Sequence, residues 1–140
     1  MKKTIVVVLL VLAVAASAFA KEKGEAAVKT TVKGDPAKTT PGKAGVFELI
    51  VAPQGDFHMN MEAPPKIKLI SGDHRVDVEK KMWGKKDAEY YKDEGAKWKL
   101  TATAKEKGKY ELEMKARFVI CKKEICKPIS FNKTLTLEAE

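Results

Sequence analysis

The chain has 140 residues and a formal net charge of +8, with 44% hydrophobic and 33% charged residues. This length accommodates one ordinary domain, and the hydrophobic fraction excludes wholesale disorder. Two cysteines are too few for a disulfide-dense miniprotein. The basic residues are spread among acidic ones, and Arg75 and Arg117 are the only arginines, so the charge indicates no nucleic-acid partner.

Residues 1–20 have the three parts of a secretory signal peptide. Lys2-Lys3 precedes an apolar run from Ile5 to Ala16, and Ala18-Phe19-Ala20 forms a small-x-small cleavage site. The apolar run is short for a membrane span, which takes about 20 apolar residues, and no later stretch approaches that length. We therefore expect cleavage after Ala20, export to the periplasm or secretion, and a mature chain with no transmembrane segment.

Residues 21–45 differ in composition from the rest of the chain. The segment has no aromatic residue, no Leu and no Ile, and it shows neither a period of 2 nor one of 3.6. A composition dominated by Lys, Thr, Ala, Gly and Pro buries too little apolar surface to offset the entropy of ordering. The sequence therefore predicts a flexible leader over residues 21–45 and a folded domain over residues 46–140.

Residues 46–140 alternate apolar and polar side chains in short segments. A period of 2 with one polar face is typical of antiparallel sheets that are half exposed to solvent. The longest alternation runs from Tyr110 to Ile120, and Lys85–Glu94 is the one stretch in which a short helix competes with loop. Six or seven such segments with Gly and Pro turns predict an all-β fold, an immunoglobulin-like antiparallel β-sandwich.

Cys121-Lys-Lys-Glu-Ile-Cys126 is the constellation with the clearest chemistry. The alternation of the preceding strand predicts that Cys121 faces solvent with Lys115 and Arg117, and that Lys122–Ile125 forms a four-residue hairpin loop. Directly opposed residues in an antiparallel pair lie about 4.5–5.5 Å apart, a separation that a disulfide accepts. Export would bring the pair into an oxidising compartment in which this bond can form.

Two interpretations of the pair are open on chemical grounds. As a structural staple, the bond closes a loop of about six residues and contributes about 2 kcal/mol. As a redox pair, it has close spacing and the neighbouring Lys122 and Lys123, which favour the nucleophilic thiolate. The spacing alone leaves both a thiol–disulfide exchange module and a binding or structural β-sandwich with an inert disulfide.

The segment ARFVICKKEICKPISFNKTLTL, residues 116–137, resembles the amino-terminal periplasmic domain of the thiol:disulfide interchange protein DsbD and the related single-domain disulfide bond corrector family. Gly55-Asp56-Phe57-His58 through Pro64-Pro65 is similar to an early G-x-H-x-N…P segment of that family. Met82-Trp83-Gly84-Lys85 falls where the family has an aromatic-Gly cap loop. The resemblance implies an immunoglobulin-like sandwich, in agreement with the alternation.

The resemblance also implies an activity, that of a protein-disulfide reductase which passes electrons through the cysteine pair to oxidised periplasmic thiol–disulfide proteins. Cys126 matches the cysteine that forms the mixed disulfide with the partner, and Cys121 matches the resolving cysteine. Trp83, with Met82, matches the lid that shields them. No cofactor is implied, but a separate electron donor is, either membrane-bound or thioredoxin-like, because the domains that supply electrons in the full-length protein are not in this sequence.

His58, Met59 and Met61 offer a weaker alternative, a Cu(I) site beside the cysteines. Soft thioether, thiolate and imidazole ligands select Cu(I). The simpler interpretation is that the two methionines fill an edge of the core and that His58 caps a turn. We therefore expect no resident metal.

Overall fold

The computed structural model describes residues 27–140. The predicted signal peptide and its cleavage after Ala20 fall on residues outside this range, so they stay predictions. Within residues 27–140, no helix is long and apolar enough to span a membrane.

The described chain forms two β-sheets that share one core. The strands within residues 27–140 are β1 Val28–Lys33, β2 Ala37–Thr39, β3 Ala44–Pro53, β4 His58–Met59, β5 Lys66–Ile70, β6 Val76–Val78, β7 Tyr90–Lys92, β8 Gly95–Ala104, β9 Gly108–Lys122 and β10 Ile125–Ala139.

The first sheet has the order β1-β3-β8-β6, with β7 also paired to β8. The second sheet has the order β2-β10-β9-β4, with β5 also paired to β9. The pairs are antiparallel except for β2 with β10, which is parallel. The predicted all-β, immunoglobulin-like sandwich is confirmed.

The alternation of side chains explains why each long strand has one buried face. In β9, Leu112 and Phe118 are buried, whereas the intervening Glu113 and Lys115 are exposed. Trp98 of the first sheet joins the buried residues of β9 in a single hydrophobic cluster. Full burial of one such large apolar side chain stabilises the fold by about 1.5–3 kcal/mol. The core therefore lies between the two sheets, and the outer faces carry the charge.

The predicted flexible leader is wrong for residues 28–45. β1 pairs with β3 along its whole length, and β2 pairs with the last residues of β10. The Val and Thr residues of β1 suit a strand, and Val28 and Ala37 are buried against the core. Gly34 makes the turn after β1 with a φ of 80°, at a place where a Cβ would lie 2.7 Å from the Val46 carbonyl oxygen. The folded domain therefore begins well before residue 46.

The stretch from residue 85 to residue 94, in which a helix competed with loop, contains a single 3₁₀ turn over Lys85–Asp87 and then β7, Tyr90–Lys92. The Nε1–H of Trp98 donates a hydrogen bond of 2.9 Å to the carbonyl oxygen of Gly84, which precedes the turn. The turn is therefore fixed to β8 by a buried side chain, and it does not require helix propensity of its own.

Candidate functional site

The two cysteines close the tip of the long β9–β10 hairpin. Cys121 lies opposite Cys126 in the strand register, and their sulfur atoms form a disulfide, with the Cα atoms 4.0 Å apart. The pairing continues one step further, to Lys122 opposite Ile125, so the turn has two residues where the sequence predicted four. A two-residue turn needs a positive φ at its first position to match the twist of the strands, and Lys123 adopts a φ of 53° there.

The two cysteines differ in their exposure to solvent. Cys121 is only 5% exposed, whereas Cys126 is exposed. β9 has a neighbour on each side at Cys121, because β10 pairs with it on one side and His58 of β4 pairs with it on the other. Within residues 27–140, β10 has no second neighbour at Cys126, since β2 pairs only with Leu137–Ala139. Cys121 lies on the same face of β9 as Lys115 and Arg117, as predicted, but its predicted exposure is wrong, because alternation does not reveal a short strand paired beside it.

The side chain of Asn60 lies against the disulfide. Its Nδ2 atom is 4.0 Å from the Sγ atom of Cys126. Its Oδ1 atom accepts hydrogen bonds from the backbone N–H groups of Glu62 at 2.8 Å and Ala63 at 3.1 Å. Because these two donors occupy the amide oxygen, the amide N–H group is the end that faces the sulfur. A donor at this place would stabilise a thiolate on Cys126 after the disulfide is opened.

The backbone of Asn60 is fixed as well. Its carbonyl oxygen accepts a hydrogen bond of 2.8 Å from the hydroxyl of Tyr91. Burial raises the pKa of Tyr91, which keeps this hydroxyl protonated as a donor. The sequence analysis did not identify Asn60 as a site residue. An Asn side chain tends to accept hydrogen bonds from the backbone two residues further on, so Asn60 could have been predicted to form a turn. That tendency does not indicate a functional site.

A cleft of about 310 Å³ opens beside the disulfide and contains the three residues of the Cu(I) alternative. Met59 is fully buried in the core, as expected of a methionine that fills a core edge. Met61 is exposed, and Nδ1 of His58 lies 3.1 Å from the Met59 carbonyl oxygen, to which it donates. Within the described residues, no group of three or more His, Cys, Asp and Glu side chains is placed to hold a metal ion. The lining residues are His58, Met59, Asn60, Met61, Glu62, Asp93, Cys121, Lys123 and Cys126.

The structure does not bring the proposed lid residues to this cleft. Trp83 is 3% exposed and belongs to the core, and its backbone exchanges hydrogen bonds of 2.8 and 3.0 Å with Ile67 on β5. Ile67 in turn pairs with Ala116, which lies five residues from Cys121 along β9. Met82 is 48% exposed at the surface. In the described chain, the neighbours of the cysteine pair on this side are His58 of β4, which pairs with Cys121, and Asn60, which lies beside Cys126.

Three lysines lie at or next to the hairpin tip, and the acids Glu62 and Asp93 line the cleft beside it. Lys123 lines the cleft, and the Nζ atoms of Lys122 and Lys127 lie 5.7 and 5.2 Å from the centroid of the Phe57 ring. Lys122 is also 3.9 Å from Asp56, in an exposed pair that neutralises little of the charge. Phe57 packs against the core and so connects the tip to the sandwich. Lys123 is the lysine that lines the cleft together with both cysteines, and a cation beside a cysteine favours the thiolate over the thiol.

The fold and the site together define an immunoglobulin-like β-sandwich with a disulfide at the tip of one hairpin. No family model matches the sequence, and no curated protein matches it. Among solved structures, a cohesin module from a Clostridium perfringens family 33 glycoside hydrolase is 13% identical, with a TM-score of 0.42 over 82% of this chain and 99% of that one. The major pilin subunit BcpA of Bacillus cereus, in a D312A form, is 8% identical, with a TM-score of 0.37 over 80% of this chain and 40% of that one. Neither likeness bears on function.

Proposed function

We propose that the protein is an exported thiol–disulfide exchange module that reduces disulfides of partner proteins through Cys121 and Cys126. The observation that carries this proposal is the unequal exposure of two bonded sulfurs at one hairpin tip. An exposed sulfur can reach the disulfide of a partner. A buried sulfur beside it can resolve the intermediate without itself competing for the partner.

The exchange begins with both cysteines reduced. The Cys126 thiolate attacks one sulfur of the partner disulfide, a mixed disulfide forms, and the second partner sulfur leaves as a thiolate and takes up a proton. Cys121 then loses its proton and attacks the Cys126 sulfur, which re-forms the Cys121–Cys126 bond and releases the first partner sulfur as a thiol. The pair gives up two electrons and two protons to the partner. A dithiol donor protein of the thioredoxin class must reduce the pair again.

The position of the disulfide in the hairpin favours a bond that opens over a structural staple. The loop that it closes is short, so the bond contributes only about 2 kcal/mol in the chain-entropy model. Between the disulfide and the far end of the hairpin, β9 and β10 are paired without interruption. The first of these pairs is Lys127 with Ile120, and the last is Ala139 with Gly108. Reduction would therefore leave the hairpin and the core in place, as repeated exchange requires.

The reduction potential of the Cys121–Cys126 pair in the mature protein tests the proposal. Thiol trapping across a glutathione or dithiothreitol series measures it. We expect a value within the range of known exchange proteins, about −120 to −270 mV. A value well below about −300 mV would identify a structural disulfide. The protein would then be a binding or structural β-sandwich.

A pair of single-cysteine variants tests the assigned roles. Cys121→Ala leaves the exposed sulfur, and Cys126→Ala leaves the buried one. With the neutral reagent 2-hydroxyethyl disulfide, we expect Cys121→Ala to form the mixed disulfide at least about tenfold faster, because access and thiolate character govern the attack. Mass spectrometry of quenched samples gives both rates. Equal rates, or a faster Cys126→Ala, would reverse the assignment.

A further inference from the structure

Four cations lie together on the outer face of the second sheet. Lys66 on β5 pairs with Arg117 on β9, and Lys68 pairs with Lys115 in the next pair on this face. All four side chains are exposed. Like charges in directly opposed positions destabilise a sheet. The sheet therefore holds two adjacent unfavourable pairs, and they require an explanation other than stability.

Acidic side chains neutralise little of this charge. Glu113 is the acid nearest along β9, and its Oε1 atom lies 3.8 Å from Nζ of Lys115, with both side chains about half exposed. Among residues 27–140, Lys66, Lys68 and Arg117 take part in no ion pair. The patch is therefore a local excess of positive charge.

The outer face of the first sheet is built differently. Lys97 and Lys99 of β8 both contact Glu89, at 3.2 and 2.8 Å, and Lys97 is also 3.6 Å from Glu48. Hydrogen bonds from the two lysines hold the pKa of Glu89 below its usual value. Lys97 and Lys99 on the first sheet are thus neutralised, whereas three of the four cations of the patch on the second sheet have no acidic partner among residues 27–140.

The four cations line a groove of about 340 Å³. Ser130 lies opposite Arg117 and Asn132 lies opposite Lys115, so β10 contributes a hydroxyl and an amide to the same groove. Each of these groups can donate a hydrogen bond to an anion. The guanidinium group of Arg117 presents a fork that fits a carboxylate with two bonds.

The spacing of the cations matches an extended peptide. The pair Lys66–Arg117 and the pair Lys68–Lys115 are separated by two residues along each strand, which is about 6.8 Å. Side chains on one face of an extended peptide repeat at the same interval. Acidic residues at alternate positions of such a peptide would therefore meet both pairs at once.

The groove and the exposed cysteine lie on the same face of the sheet. Arg117 and Cys121 are four residues apart on β9, and Ser130 and Cys126 are four residues apart on β10, so about 13 Å separates the groove from the disulfide. Val119 lies between Arg117 and Cys121 and carries no charge. A peptide that follows the strands from the groove reaches Cys126 about four residues later.

We infer that this basic groove, formed by Lys66, Lys68, Lys115 and Arg117, docks an extended acidic segment of the protein whose disulfide is reduced. The inference rests on the proposed function, because the shared sheet face is what selects a protein partner over another polyanion. It specifies the partner further. The reacting cysteine of the partner lies about four residues from a pair of alternating acids.

The test uses the reduced mature protein and synthetic peptides with one cysteine, held as a mixed disulfide with 2-mercaptoethanol. One peptide has Glu four and six residues from the cysteine, the matched peptide has Gln there, and both are made for either chain direction. At low ionic strength, we expect the Glu peptide to react about tenfold faster, as electrostatic steering allows. High salt should remove the difference because it screens exposed charges.

Two triple variants with the same change in net charge show whether the groove causes the preference for the Glu peptide. The groove variant is Lys66→Gln, Lys68→Gln and Arg117→Gln, and the control variant changes exposed lysines elsewhere, Lys29→Gln, Lys38→Gln and Lys43→Gln. The groove variant should lose the preference for the Glu peptide, and the control variant should keep it. The neutral reagent 2-hydroxyethyl disulfide should react at the same rate with both variants and with the wild type.

The outcomes separate the two proposals. If the neutral reagent fails to react with the reduced wild type, the proposed function is wrong. The groove is then tested by fluorescence anisotropy of a Glu peptide with Ser in place of Cys, whose binding only the groove variant should lose. Equal reaction or binding of the Glu and Gln peptides would overturn the docking role, and so would an equal loss in both variants. Binding of inorganic tripolyphosphate without binding of the Glu peptide would overturn the peptide assignment.

Discussion

The β9–β10 hairpin has two ends with different physical roles. At its root, residues 108–116 with 131–139, Leu112 pairs with Leu135 and both are buried in the core. At its tip, residues 117–130, Phe118 and Ile120 of β9 are still buried, but on β10 Ile129 is only partly buried and Cys126 is exposed. The same two strands thus provide burial at one end and an accessible sulfur at the other. Because β9 and β10 stay paired along the root, we expect the fold to persist when the bond at the tip is opened.

The largest effect is expected from truncating the root. Leu112→Ala should lower the free energy of unfolding by about 3 kcal/mol, since the side chain is 1% exposed and its loss leaves a cavity. Ile129→Ala removes the same number of carbon atoms at the tip and should cost about 1 kcal/mol, because that side chain is only partly buried and packs at the edge of the core. Urea unfolding followed by circular dichroism measures both. Equal losses would contradict the division into root and tip.

Opening the disulfide should have a smaller effect. The double variant Cys121→Ala, Cys126→Ala should lose about 2 kcal/mol, the value of a short closed loop, and should keep a cooperative unfolding transition. Hydrogen exchange should increase at the tip and remain slow at Leu112 and Leu135, on the far side of the pairing from the bond. Loss of protection at the root would show that the bond holds the sandwich together and would favour the inert staple.

The strands after residue 46 could be predicted from the sequence because their signal is local. Phe47 in β3 and Trp98 in β8 each lie in a run with period 2, and both are fully buried. β1 could not be predicted in this way. Its stability comes from hydrogen bonds to β3, which is distant along the chain, and its own side chains carry little apolar surface.

Part of the candidate site could be predicted from the sequence, because that part also depends on local alternation. The facing of Cys121 and Cys126 across a hairpin follows from alternation and spacing, and the disulfide in the structure confirms it. The burial of Cys121 and the place of Asn60 depend on β4, His58–Met59, which is too short to have a period. Contacts between distant segments therefore determine the chemistry of the tip.

A substitution at Asn60 should change the chemistry of the tip without changing the stability of the root. Asn60→Asp keeps the oxygen that accepts from Glu62 and Ala63, and it replaces the amide N–H beside Cys126 with an anionic oxygen. The loss of one hydrogen bond and the added repulsion should slow alkylation of the reduced Cys126 by iodoacetamide at pH 7 about tenfold. The free energy of unfolding of the oxidised protein should change little. Unchanged alkylation would remove Asn60 from the site.

The smallest effect is expected from a surface ion pair at the root. The Arg75 guanidinium lies 5.0 Å from the centroid of the Tyr110 ring and donates to the Asp73 carboxylate at 2.7 and 3.0 Å. The hydrogen bond from Arg75 holds the pKa of Asp73 well below its usual 3.8. A lowered pKa in the folded state stabilises the protein above pH 3.8, and this contribution is lost progressively as the pH falls below that value.

Asp73→Asn should therefore lower the Tm slightly at pH 7, and the difference from the wild type should shrink between pH 4 and pH 2. Thermal unfolding followed by circular dichroism at pH 7, 4, 3 and 2 measures it. The difference at pH 7 should also shrink in high salt, because the pair is exposed and screened. A difference that is the same at every pH would mean that the ionisation of Asp73 does not cause it, and the charge of the pair would then contribute nothing to the root. Loss of the turn would not explain such a result either, because Asn keeps an Oδ1 atom that can accept from the Arg75 backbone N–H, as Asp73 does at 2.9 Å.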